Sequence, residues 1–123
     1  MNNCIGQSGR LWTTSSAYTL YTNANPFGSP AQLFVFLDER EDSINDAVFF
    51  SDPDTRFQII DLPASYHDGA GAFGFADGHG EVHLWRDPRS SPVLQPGLPL
   101  ILNVNMPGNV DIDWLQQHAS ERR

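Results

Sequence analysis

Three imidazoles, His67, His79 and His83, fall within seventeen residues of one another, beside Asp68, Asp77 and Glu81. Imidazoles and carboxylates are the side chains that move protons near neutral pH and hold metal ions. Ser65 stands two residues before His67 and completes, with Asp77, the residue types of a nucleophilic triad. Residues two apart on an extended segment point to the same side. No Gly-x-Ser-x-Gly elbow and no glycine-rich oxyanion loop frames that serine, so a serine hydrolase is weakly indicated. Gly69, Gly71 and Gly74 precede no helix and make no phosphate loop. A zinc site needs ligands that converge tetrahedrally. His79 falls at a turn, His83 has the parity opposite to Val82 and Leu84 and is expected to face away from the core that they face, and His67 precedes the strand, so the three rings are not expected to meet.

Oxygen ligands are more abundant. Seven acids lie between positions 38 and 54, a run that repels itself unless it is solvated or holds a cation. Calcium takes six to eight oxygens from carboxylates, carbonyls and water, and tolerates irregular loops. Asp38, Glu39, Asp42 and Asp77 are the expected calcium ligands, provided the acidic loop meets the turn at Asp77. The competing reading of Asp77 is a carboxylate that bonds only the N–H groups of its own turn. For His67 it is a structural ring joined to a neighbouring Asp, with Asp77 or Asp38 as partner.

The elements that must position these groups follow from the pattern. Phe73 and Phe75 share one face of a run that enters Asp77-Gly78, and Val82 and Leu84 share one face of the run that leaves it. Asp-Gly between alternating runs is a strong hairpin signal, because glycine accepts the positive φ such turns require. Gln32 to Leu37 is nearly continuous in apolar residues and is expected to be buried on both faces in mid-sheet. Further short strands are expected at 17–22, 47–50 and 56–60, with an edge strand or extended wrap over 98–104. A closing helix over 109–119, capped by Asn109 or Asp111, places Ile112, Leu115 and Ala119 on one face. Residues 1–10 are expected to be a loose lead-in. Trp12 and Tyr21 are expected to be more exposed than the other aromatics.

His67, nine intervening residues, then Asp77-Gly78, with Phe73 to Phe75 running in and Val82 to Trp85 running out, resembles the prepilin-type processing-associated domain. The likeness spans roughly 30–90, from Phe34-Val35-Phe36-Leu37-Asp38-Glu39 through Leu62-Pro63-Ala64-Ser65 to Trp85-Arg86-Asp87-Pro88. That domain closes pseudopilin-like proteins related to type II secretion. The resemblance implies a structural subunit of a secretion pseudopilus or related envelope filament, and a globular head in which calcium is expected. Its partners would be other pseudopilin-like subunits or further copies of itself. Such proteins begin with a basic leader and a long apolar helix, neither of which is present here, so the resemblance implies a head lacking its membrane helix. The implied location is the cell envelope or periplasm, or outside the cell.

Composition fits one domain. A chain of 123 residues with 40% hydrophobic residues supports one core, and nine Pro with ten Gly favour turns and short strands. Fifteen acids face seven Arg and no Lys, a formal charge of -8 that disfavours a nucleic-acid partner. The single cysteine, Cys4, permits no intrachain disulfide. No apolar run reaches the length of a membrane span, so the chain is expected to be soluble as it stands. The reading is thus an α+β domain, mostly antiparallel sheet with a short C-terminal helix, and a structural or assembly role. The alternatives are a small calcium- or metal-dependent hydrolase of an ester or lactone, with His67 and Asp77 as its catalytic groups, and a carbohydrate- or surface-binding module.

Overall fold

The computed structural model describes residues 1–6, 17–22, 27–44, 46–94, 97 and 103–122. Trp12 and residues 98–102 of the expected edge strand lie outside them. The described residues form a mixed α and β fold. The strands are β1 (Phe34–Leu37), β2 (Gln58–Ile59), β3 (Ala70–Phe75), β4 (Gly80–Leu84) and β5 (Val104–Asn105), followed by helix α1 (Val110–Ala119). One antiparallel sheet has the order β1-β3-β4, and β2 pairs with β5 in a second.

The hairpin forms where the sequence places it. Gly78 has φ 93°, its N–H donates to Phe75 O, and Asp77 Oδ1 accepts the His79 N–H at 3.1 Å. Inside the sheet, Phe73 and Phe75 are buried and join Phe34, Phe49, Trp85, Leu115 and Ala119 in the main core. Phe73 is the hub: it meets Phe34, Trp85 and Trp114 edge-on, with ring centroids 5.0 to 6.0 Å apart. Edge-to-face contacts satisfy the ring quadrupoles as well as burying area.

Helix α1 covers this inner face. Asn109 caps it by accepting the N–H groups of Asp111 and Ile112 at 2.9 and 3.1 Å. Ile112, Leu115 and Ala119 are buried as their spacing predicts. The acids Asp111 and Asp113 in the first turn suit the helix dipole. Gln116 fixes the helix to the 52–57 loop, donating to Asp52 O and Thr55 O at 2.8 Å.

Several expectations are corrected. β1 is an edge strand and β3 is central, and Phe36 is 62% exposed. The Ala- and Gly-rich β3 accepts neighbours on both sides, while the free edge of β1 is taken by Asn2, which donates to Val35 O and Phe34 O. Asn2 also donates to Ala119 O, so it ties β1 to the end of α1. Residues 1–6 are therefore packed: Asn2, Asn3 and Cys4 are fully buried. Tyr21 is buried too, its hydroxyl donating to Glu121 at 2.8 Å. The strands expected at 17–22 and 47–50 reduce to isolated bridges at Tyr18, Tyr21 and Phe49. Among the described residues no helix is long and apolar enough to cross a membrane.

The sheet register is pinned at Gly71. A Cβ there would lie 2.8 Å from Trp85 Cζ2 and 2.9 Å from Ala64 O, the carbonyl to which the Trp85 indole donates. Backbone on one side and a bonded ring on the other leave no room. Gly71→Ala is predicted to lower unfolding free energy by about 1–3 kcal/mol through overpacking, read by urea denaturation; an unchanged midpoint would refute the close packing.

Candidate functional site

Past β1 the chain stays extended, because Asp38 N–H donates to Ala72 O, and Asp38 O accepts from Ala64 N at 2.8 Å. Adjacent residues of an extended segment point to opposite sides, and Asp38 and Glu39 do so. Asp38 turns outward to His67, with Nε2 and Oδ2 3.2 Å apart and both side chains about half exposed. Glu39 turns inward, and its Oε1 is buried without a hydrogen-bond partner. Burial, then the neighbouring Asp61 charge, pushes the Glu39 carboxyl up to about 7 against the pull of the Ser43 hydroxyl. Burial likewise raises Asp61 to about 6, although the Phe50 N–H bonds its carboxylate at 2.6 Å. The cleft that results has a volume of about 490 Å³ and is lined by Leu37, Asp38, Glu39, Ile44, Asp46, Ala47, Tyr66 and His67.

The other expected ligands lie elsewhere. Asp42 is held by the buried Arg40, Nε to Oδ1 at 2.6 Å and Nη2 to Oδ2 at 2.9 Å, which keeps its carboxyl below the usual range. Arg40 is further fixed by donating to Pro92 O. Asp77 sits at the opposite end of the sheet, where Ala76 N–H donates to Leu33 O. The six residues of β3 separate the two ends by about 20 Å. Asp77 bonds the N–H and ring Nδ1 of His79, contacts that hold its carboxyl low.

Asp38 and Glu39 thus share a cleft with His67, whereas Asp42 and Asp77 are each engaged locally, and the four do not fit one calcium shell. Among the described residues no group of three or more His, Cys, Asp or Glu side chains is arranged to hold a metal ion. Ser65, His67 and Asp77 do not assemble as a triad, and His67 and Asp77 do not act on a common point. Cys4 is no nucleophile either, since burial pushes its thiol up to about 12.

The outer face of the sheet holds a feature that the sequence pattern hid. Directly opposed residues of an antiparallel pair share a face. Phe73 opposes Glu81 and Gly71 opposes His83, so Glu81 and His83 lie on the inner side of β4. Val82 and Leu84 therefore point outward, 61% and 59% exposed, the reverse of the expectation from their apolar character. With Phe36 they flank a strip in which Phe36 opposes Gly74, Ala72 opposes Val82 and Ala70 opposes Leu84. The result is an apolar trough, with small side chains along its floor, Val82 and Leu84 along one wall and Phe36 on the other. Asp38, whose N–H donates to Ala72 O, is the next residue on the same side as Phe36. Counting the register outward from the Asp77-Gly78 turn carries the signal for this face.

Inside, His83 stacks on Trp114 with centroids 3.9 Å apart, and Trp114 stacks on His118 at 4.3 Å. None of these residues stood out in the sequence for its partners. Comparison with known proteins finds no matching family model, no similar curated protein and no similar solved structure.

Glu39 sets a pH dependence. A carboxyl raised from about 4.5 to about 7 binds its proton more tightly in the fold, so its contribution to stability is present below pH 4.5 and is lost as pH rises through 7. Asp61 adds the same sign over a lower window, from about 3.8 to about 6. Glu39→Gln is predicted to raise the melting temperature at pH 8 by several degrees while changing it little at pH 4.5. Equal shifts at both pH values would contradict the buried, raised carboxyl.

Proposed function

We propose that this chain is a structural assembly protein, a pseudopilin-head-like subunit of a type II secretion or related envelope filament. In this reading the outer sheet face is covered by a second copy of the chain. The observation that carries it is the apolar trough bounded by Phe36, Val82 and Leu84, each about three-fifths exposed. On a chain of net charge -8, like copies repel, and a predominantly apolar face, with the Asp38 carboxylate only at its rim, is where two of them approach at least cost. The His67–Asp38 contact suits a scaffold, since it fastens the loop before the hairpin to the end of β1. The calcium of the resembled heads forms no part of this proposal, because the expected ligands are dispersed.

Size sets the strength of the contact. Three such side chains expose on the order of 300 Å² of apolar surface, against roughly 800 Å² per partner in a standard stable interface. Pairing through this face alone is therefore weak and concentration-dependent. Weak contacts suit a polymer, where each subunit touches several neighbours and avidity supplies the rest.

The rival reading, a metal-dependent ester or lactone hydrolase, draws on the cleft, whose lining holds Glu39, raised to about 7, together with His67 and Asp38. It stands second because Asp77, its other catalytic group, lies at the far end of the sheet.

Sedimentation velocity across micromolar to millimolar concentrations tests the assembly reading. The wild-type sedimentation coefficient is predicted to rise with concentration, and more so in higher salt as repulsion is screened. The double variant Val82→Glu, Leu84→Glu is predicted to remain monomeric while keeping its circular dichroism spectrum. A wild-type protein that stays monomeric throughout, or a folded variant that associates equally, would overturn the proposal.

A further inference from the structure

The joint between β4 and α1 is built on imidazole and indole rings. His83 lies on the inner side of β4 with 16% of its side chain exposed, stacked on Trp114 and tilted against Trp85 at 5.0 Å. Its Nε2 is buried and has no hydrogen-bond partner. The nearest carboxylate oxygen, Asp111 Oδ1, is 3.6 Å away, too far for a hydrogen bond. Asp111 is itself buried and already accepts the N–H groups of Arg86 and Asp87, at 3.0 and 2.8 Å. His118, one turn beyond Trp114, stacks on the same indole and directs Nδ1 at Trp114 O, 2.8 Å away.

We propose that this joint is an acid-sensitive latch: uptake of a proton by His83 loosens α1 from the sheet as pH falls from neutral to about 5. A neutral ring lies flat on Trp114 with Nε2 buried and unbonded, and the carboxylate near it, Asp111, is turned to two backbone N–H groups instead of bonding the ring. The titratable groups facing the ring are Asp111 and His118 from α1 and Glu81 from its own strand; β3 presents Gly71 and Phe73. Burial opposes protonation most strongly and the nearby His118 adds to it, whereas Asp111 and Glu81 favour it. The balance lies with burial, so the His83 imidazole sits below its ordinary value of 6.5. The unfolded chain then binds the proton more tightly, so stability from this joint is complete above pH 6.5 and falls as pH drops through the folded value. Glu39 and Asp61 act with the opposite sign, and the low-lying carboxyls of Asp42, Asp77 and Asp87 titrate below this window.

A readout local to the helix separates these contributions. Backbone amide exchange across Val110–Ala119 at pH 7.5, 6 and 5, corrected for intrinsic rates, is predicted to lose protection severalfold between the extremes. His83→Phe keeps the ring stack but cannot take a proton, and is predicted to abolish most of that loss while leaving exchange in β3 unchanged. The His83 ring-carbon NMR signal of the wild-type protein supplies a second test that needs no variant, with a titration midpoint expected below 6.5. A midpoint at or above 6.5, or the same loss of helix protection in folded His83→Phe, overturns the latch.

Discussion

The close approach of Gly71 to Trp85 and Ala64 O fixes the parity of the whole sheet. A slip of one residue would turn every β3 side chain to the other face, and a side chain at position 71 cannot be accommodated against the bonded indole. With that parity set, Phe73 and Phe75 must point toward α1, and Ala70, Ala72 and Gly74 must point away from it. The opposed residues of β1 and β4 follow: His83 goes under the helix, and Phe36, Val82 and Leu84 go to the outer face. The inner latch and the outer trough are two consequences of one steric constraint.

Charge is organised differently, in local pairs. Arg40 holds Asp42, Arg89 holds Asp87, His79 holds Asp77, and His67 meets Asp38. The exposed pairs contribute little stability, and Arg40 differs because its guanidinium is 2% exposed and satisfied by both Asp42 and Pro92 O. Such pairing explains why an acidic sequence does not gather its carboxylates around one point. Glu39 and Asp61 behave differently: Asp61 is buried, Glu39 is half-buried beside it, and both carboxyls are raised.

Much of the hairpin and the helix could be read from the sequence, since their signals are local. Asp77-Gly78 specifies a turn by φ alone, and Asn109 caps the helix with its own side chain. The face presented by β4 was not legible from apolar character, which places Val82 and Leu84 inside; the hairpin register decides otherwise. The edge position of β1 depends on Asn2, some thirty residues earlier, which no local pattern reveals. The candidate site was half legible for the same reason. His67 does find Asp38, as one reading of it held, but their meeting depends on the 62–64 segment running beside Asp38 and Glu39. Asp77 would join that neighbourhood only if the acidic loop met its turn, and six residues of extended β3 put the turn at the other end of the sheet.

The central claim, that copies of this chain meet through the outer face of the β1-β3-β4 sheet, is tested most directly by residue-resolved NMR across a concentration series. The account predicts that the Val82 and Leu84 methyl signals and the Phe36 ring signals shift together as concentration rises, while those of Ile59, Leu62 and Leu115 in the cores stay fixed. Shifts confined to other surfaces, or a spectrum that does not change up to millimolar concentration, would contradict it.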